Sequence, residues 1–413
     1  MSRLSSAAVV LVASLALAGN HARPGGTLQV ALVSPAAAVE PLTADAPVDA
    51  LRLLLTHQLL CRVVEFSRPS PSLLRLTALP GVDPKLVTEA LNRVATGASP
   101  ARALLASAGP WTVNGRAIDL PLKQPTPDLE RALCHPAFAV PLGAFKTQGN
   151  KLLAFEEQPL GRPNVDQVVL QASDARTVER WLGQRRVQLA AGAATNEDVA
   201  QLFVTVLQLG PGLSPLKAAV ESSIDRADLA RFFVPSPSGA MTGLLPPTLS
   251  SLPAPAAPAK PPALTVPREL TLLFDEEAAH ERNIAQRLQV KLQPLGYRLA
   301  LKATPRAQLR ARAPGENEVF LQSLALPPSP AGALLVWLEL GGQHARLPAV
   351  LQQLAAAGDV DQKARELALQ LGAELPIVPL VTRGLGVSAT RDVQHLTRDV
   401  LGLPRLDDVF LAE

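Results

Sequence analysis

The sequence predicts an α/β protein of more than one domain, on three observations. Segments with the two-residue alternation of strands are interleaved with segments of helical period. A run dense in Pro and Ala, Leu244–Pro267, interrupts the chain where neither element continues. The length, 413 residues, exceeds what one hydrophobic core organises.

Composition narrows the class. Charged residues make up 18% and apolar residues 47% of the chain, which is globular rather than disordered. Aromatics are only 3%, so the core is built from Ala, Leu and Val. The formal charge is +3, and no Lys/Arg block is dense enough to track a phosphate backbone, which argues against nucleic-acid binding.

Arg3 is followed by the apolar run "LSSAAVVLVASLALAG", ending in Ala16-Leu17-Ala18. That pattern predicts a secretory signal over residues 1–18, cleaved after Ala18. A membrane anchor needs roughly 18 or more apolar residues, and this run is shorter. Gly19 and Asn20 stand where a lipoprotein needs Cys, so no lipid anchor is expected. The mature chain is expected to be soluble and exported. Cys61 and Cys134 are then a candidate disulfide, with two buried thiols as the alternative.

The elements run in order along the chain. "GGTLQVALVS" (Gly25–Ser34) reads as a strand, and "DALRLLLTHQLLCRVVEF" as a buried helix. Asp83 and Pro84 open a helix as N-cap and first residue. "RAIDLPLKQPTPDLERALC" gives a short strand, a Pro-rich turn and a helix near Asp128–Cys134. "VDQVVLQAS" is a strand, "DARTVERWLGQRR" a helix and "VAQLFVTVLQLG" (Val199–Gly210) a buried strand. Ser214 as N-cap and Pro215 at the first helical position begin another helix. The Pro/Ala segment is a semi-rigid linker. Beyond it, "RELTLLFD", a helix ended by Gly296 and "YRLALKAT" form a βαβ unit with Ile284, Leu288 and Leu292 on one stripe. "ENEVFLQSLAL" adds a strand, "AVLQQLAAAGDVDQKARELALQLGAEL" is helical, and "PIVPLVTRGLGVSA" reads as a strand pair. The end of the chain, from Asp392, is a covering tail.

The sequence lacks a catalytic constellation. "GLGVSA" resembles a dinucleotide glycine pattern but opens no helix, so it reads as a turn. "HERNI" lacks the second His of a zinc helix, which leaves His280 a solvated helix residue and no metal site. His57, His135 and His395 are scattered and read as surface or capping residues. Neither a G-x-S-x-G elbow nor a phosphate-binding loop is present. Asp225 and Arg226 are adjacent opposite charges within "VESSIDRADLARFFV". With no His, metal ligand or nucleophile beside them, they read as structural: Asp225 and Arg226 join two helical turns, Arg226 reaches nearby carboxylates and Asp228 caps the next helical turn.

The same segment carries a resemblance. "LKAAVESSIDRADLARFF" followed by "GLLPP" is similar to a stretch of the extracellular solute-binding proteins of the oligopeptide, dipeptide and nickel class (family 5), which serve ABC importers. "GGTLQVAL", "LPLKQPTPDLERALCHPAFAV", "VPLGAFK", "GRPNVDQVVLQ", the βαβ unit from Arg268 and "PIVPLVTRGLGVSA" resemble that family's segments in the same order. The resemblance implies a two-lobed α/β fold of the periplasmic-binding-protein kind, with a hinge and a ligand closed between the lobes.

On this basis lobe I is expected over 25–245, with a subdomain at about 50–150; the linker over 246–267; lobe II over 268–371; and a return to lobe I over 372–413. Main-chain groups around Val33 and Ser34, and around Leu324 and Leu326, are expected to face the cleft. The implied function is a monomeric periplasmic binding protein for a peptide or other small solute, without cofactor, partnered by permease subunits of the inner membrane. The alternative is a non-transporting envelope interaction or regulatory module on the same fold. A secreted hydrolase, resting on the export signal alone, is the third reading.

Overall fold

The computed structural model describes residues 25–33, 39–149, 151–192, 199–235, 237–250, 264 and 268–412. The expected signal segment and most of the Pro/Ala linker lie outside the described residues. Among the described residues, no helix is long and apolar enough to cross a membrane.

In chain order the strands that build the three larger sheets are β1 (Thr27–Leu32), β2 (Val64–Ser70), β3 (Leu73–Ala78), β4 (Thr112–Asn114), β5 (Ala117–Pro121), β6 (Phe145–Gln148), β7 (Lys151–Ala154) and β8 (Gln167–Ala172). They continue with β9 (Leu189–Ala191), β10 (Phe203–Leu209), β11 (Ser238–Ala240), β12 (Arg268–Asp275), β13 (Tyr297–Thr304), β14 (Glu318–Ala325), β15 (Ile377–Arg383) and β16 (Val387–Ala389). One six-stranded sheet has the order β16-β9-β1-β8-β7-β6, and a second has β11-β15-β10-β14-β12-β13. The four-stranded antiparallel sheet β2-β3-β5-β4 forms a smaller unit within the span of the first. The parallel pair β12–β13 is joined through the helix Ala279–Leu292, as expected for a βαβ unit, whereas between the parallel strands β1 and β8 the chain also builds β2 to β7.

Burial follows this division. Leu28, Val30 and Leu32 of β1 pack with the helix Pro47–Thr56 and with Leu401, Leu403 and Val409 of the tail, which therefore does cover the first sheet. One face of the second sheet packs on Ile284, Leu288 and Leu292, the stripe read from the sequence. Its other face packs on the helix Pro330–Leu340, centred on the fully buried Trp337. That core is shared with Leu74, Leu76 and Leu91 of the small unit, so the small unit is anchored to both halves.

Three expectations are corrected. First, the linker is not the boundary between lobes. The apolar strand β10 precedes it, yet β10 sits at the centre of the second sheet between β14 and β15, and β11 belongs to that sheet as well. A strand buried along its whole length needs partners on both sides. The chain crosses between β9 and β10 and returns between β15 and β16, so "PIVPLVTRGLGVSA" is two strands in two different sheets. The return to the first sheet thus begins after Arg383 rather than at residue 372.

Second, the helix expected through "DALRLLLTHQLLCRVVEF" breaks at His57. Gln58 and Val140 exchange backbone hydrogen bonds of 2.8 Å, and the β-branched Val63-Val64 pair leads into β2. Gly143 lies against Thr56, where an added Cβ would stand 2.1 Å from the Thr56 carbonyl carbon. Third, Leu213, not Ser214, precedes the helix Ser214–Ser223, and no side chain caps it.

Asp225 and Arg226 stand where two helices meet. Asp225 caps the helix Arg226–Phe233, accepting from the N–H groups of Ala227 (2.9 Å) and Asp228 (3.1 Å). Asp228 is in the first turn and does not cap. Burial lowers the Arg226 guanidinium from its ordinary value against the opposing pull of Glu221. Its Nε has no hydrogen-bond partner among the described residues. The pair therefore sets a helix–helix junction, and Asp225→Ala should cost about 1 kcal/mol by loss of the cap. Urea denaturation measures this; an unchanged midpoint would show that the junction is fixed by packing alone.

Candidate functional site

Between the two six-stranded sheets lies a cavity of about 990 Å³. The first sheet and its helix supply Val33, Val48, Asp49 and Ala172 among its wall residues. The second supplies Phe232, Phe233, His280, Glu281, Ser323 and Arg383. The wall is thus apolar toward Val33, Val48 and the Phe232–Phe233 pair, and polar toward the ends of β12, β14 and β15. Phe232 is 64% exposed and forms part of the mouth.

The polar end is a connected set of groups. Ser323 Oγ donates to Glu281 Oε1 (2.8 Å), and the Asp275 N–H donates to Glu281 Oε2 (2.9 Å). His280 Nε2 lies 3.1 Å from Ser323 Oγ and accepts from the Arg383 guanidinium at 2.9 Å. Accepting at Nε2 makes the neutral imidazole carry its proton on Nδ1. Thr205 Oγ1 from β10 stands 3.0 Å from Ser323 Oγ. Four stretches of chain far apart in sequence therefore meet around Ser323 and His280.

Burial sets the electrostatics. It pushes the Glu281 carboxyl up to about 7, with the Asp275 N–H and the Ser323 hydroxyl pulling the other way. Burial, together with the cations of Arg383 and Arg306, holds the His280 imidazole well below its ordinary value. Burial lowers the Arg383 guanidinium to about 10, against Glu281 and Asp49, which leaves it a cation at neutral pH.

The Ser, His and Glu side chains do not form the relay of a hydrolase. In such a relay the carboxylate orients the imidazole and the imidazole takes the hydroxyl proton. Here the Ser323 proton points to Glu281, and Arg383 occupies the imidazole nitrogen that faces Ser323. Among the described residues, no group of three or more His, Cys, Asp or Glu side chains could hold a metal ion.

Beside the cavity, two arginines of the helix Arg306–Ala311 reach from the second sheet to the first half of the molecule. Arg306 Nη1 donates to the Thr43 carbonyl (2.7 Å) and to Asp49 (3.1 Å), while its Nε donates to Asp275 (2.7 Å). Burial would lower the Arg306 guanidinium, but Asp275, Asp45 and Asp49 outweigh it and hold it above its ordinary value. Arg310 pairs with Asp45 and donates to the Ser323 carbonyl at 2.9 Å. His135 adds a third tie: its Nδ1 accepts from the Ala137 N–H and its Nε2 lies 3.0 Å from the Ala325 carbonyl.

The expected cleft residues fare unevenly. Val33 lines the cavity, although its N–H is already bonded to the Ala191 carbonyl. Ser34 lies outside the described residues. Leu324 and Leu326 do not face the cavity. Strand alternation turns Ser323 toward it and sends Leu324 and Leu326 into the core with Trp337. The Leu326 N–H is spent on the Leu202 carbonyl (2.7 Å). His280 is a wall residue rather than a solvated one. Sequence reading missed Arg383, Glu281, Ser323, Arg306 and Asp49. The one available signal was a cation ending the otherwise uncharged strand "IVPLVTR". Cys61 and Cys134 are disulfide-bonded, with Cα atoms 5.2 Å apart.

No protein-family model matches this sequence, and no curated protein matches it. Solved structures do. The ABC transporter-associated periplasmic binding protein DppA from Helicobacter pylori, in complex with the peptide STSA, superposes with a TM-score of 0.73 at 14% identity, over 95% of this chain and 99% of that one. The PBP AgaA of A. tumefaciens R10, in complex with agropinic acid, gives 0.72 at 14% identity, over 94% and 99%. NikA from Staphylococcus aureus, in complex with Ni(L-His)2, gives 0.69 at 13% identity, over 93% and 99%.

The raised Glu281 carboxyl has a testable consequence. Between the ordinary value of 4.5 and about 7 the native state keeps a proton that the unfolded chain has lost, so Glu281 makes stability fall as pH rises through that window. Glu281→Gln, which mimics the protonated form, should gain stability relative to wild type across it, by on the order of 3 kcal/mol at its upper end. Denaturation of both proteins at about pH 5 and about pH 8 reads this difference; a gap that closes as pH rises would contradict the assignment. At the level of fold, the chain shares the two-lobed α/β architecture of these structures.

Proposed function

We propose that this protein is the solute-capturing component of an ABC importer, acting outside the cytoplasmic membrane. It closes its two halves over a peptide or another small solute and delivers it to permease subunits. The observation that carries this reading is the cavity of about 990 Å³ walled by residues from both sheets, between halves joined by two chain crossings. A volume of that order accommodates a small ligand, and pockets between domains are where such ligands are taken. The structural neighbours that hold a peptide, agropinic acid and a nickel–histidine complex support it.

The physics of capture rests on the ties beside the cavity. Arg306 and Arg310 join the halves on one flank, while the apolar mouth around Phe232 is left open. A ligand shifts the equilibrium between open and closed forms only as far as it contacts the closed form better. Wall residues from both halves provide that difference. Export by the leader segment and action as a monomer complete the reading. The non-transporting module has no observation of its own in its favour.

A solute library spanning peptides, amino acids, organic acids and chelated metals tests the proposal by thermal shift. A binder should raise the melting temperature, by RT ln(1 + [L]/Kd) in free energy, and reduce the radius of gyration in small-angle scattering. Failure of every class to shift the melting temperature would sink the reading.

A further inference from the structure

We propose that the captured solute carries an oxyanion, a carboxylate or a phosphate, and that the Arg383 guanidinium is its anchor. This rests on the solute-binding reading and names the chemistry of that same site.

The inference starts from an imbalance of charge. Arg383 is only 8% exposed, and its guanidinium stands at the end of β15 in the cavity wall. Among the described residues its single side-chain hydrogen bond goes to the neutral His280, and no carboxylate lies within ion-pair distance, Glu281 and Asp49 acting on it only from farther off. A buried cation without a counter-ion is costly and is found where a partner arrives later. The guanidinium has five N–H donors, and His280 takes one.

The wall carboxylates are accounted for, and the wall's remaining charged side chain, Arg52, is a further cation. Arg306 and Asp49 are committed to one another, with Asp275 as second acceptor. Glu281 is held by the Asp275 N–H and the Ser323 hydroxyl and is raised toward neutrality. Glu277 is exposed and solvated. What remains inside is a positive centre.

A second feature points the same way. The helix Ala279–Leu292 starts in the cavity wall at Ala278–His280, and no side chain caps its N-terminus. The positive end of a 14-residue helix therefore adds to the field at Arg383. His280 contributes by remaining neutral. It orients the guanidinium through Nε2 without adding the like charge that protonation would bring. Away from this centre, Val33, Val48, Phe232 and Phe233 offer apolar contact to the rest of the solute.

The test is a calorimetric panel on the full chain with acid and neutral twins. N-acetylated hydrophobic dipeptides are compared with their carboxamides, and aryl phosphate monoesters with the parent phenols. We expect one acid series to bind and its neutral twins to bind at least about 30-fold more weakly. Arg383→Met should erase that preference, and Arg383→Lys should keep it at reduced affinity, because an ammonium retains charge without the planar fork. If Arg383→Met does not fold, Arg383→Lys alone decides: an acid affinity equal to wild type overturns the anchor. The carboxylate and phosphate arms identify which oxyanion is taken. Neutral members binding as well as their acids, or an acid preference surviving in Arg383→Met, overturns the anchor and leaves solute capture standing. If no member of the panel binds, the anchor is overturned, and the broader library above decides solute capture separately.

Discussion

The arrangement depends on the Arg306–Asp49 pair and its neighbour Arg310–Asp45. Two sheets joined by two strands of chain have no covalent reason to face each other at a fixed distance. These arginines leave the second sheet on one short helix and end on the segment that opens the first helix of the other half. Asp275, at the end of β12, steadies Arg306 from its own side. Exposed ion pairs contribute little, but Arg310 and Asp45 have side chains only 6% and 9% exposed. Removing one member of such a pair strands the other in a dry setting, which is where ion pairs matter most.

That clasp explains why the cavity has two characters. On the clasp flank the charges are paired, and the wall is rigid and polar. On the Phe232 flank the wall is apolar and partly open to solvent. Arg383 lies where the paired region ends. Arg306 cannot release Asp49 to it without breaking the clasp, so the lone cation persists as long as that pair holds. The expectation that main-chain groups at Val33 and Leu326 face the cleft finds less support. The N–H groups of Val33 and Leu326 are already engaged within the protein. Side-chain charge, not free strand edge, is what this cleft presents.

Much of the fold was legible in the sequence because it rests on local signals. The Ile284–Leu288–Leu292 stripe, the Asp83–Pro84 helix start and the alternation that opens β1 each require only neighbouring residues. The lobe boundary was not legible, for a physical reason. The Pro/Ala segment is compositionally loud, yet it joins β11 to β12 within one sheet. The true crossings are quiet. Gly192 adopts a φ of +88° at one, and Gly384 sits against Val199 and Pro237 at the other, and neither stands out from ordinary turns in the sequence.

The site was less legible still, because its residues are joined by topology alone. Thr205, His280, Ser323 and Arg383 come from four elements and converge only when β10 takes its place between β14 and β15. A one-residue phase decides the outcome in β14: Ser323 faces the cavity and Leu324 the core, so a position-by-position expectation centred on Leu324 and Leu326 selects the wrong face. The lack of a second histidine disqualifies His280 as a metal ligand, but it has no bearing on an imidazole whose task is to hold a guanidinium. A buried cation at the end of an apolar strand is a weak sign in one dimension. It becomes a strong one when every carboxylate near it is found to be engaged elsewhere, and that requires the three-dimensional inventory of partners.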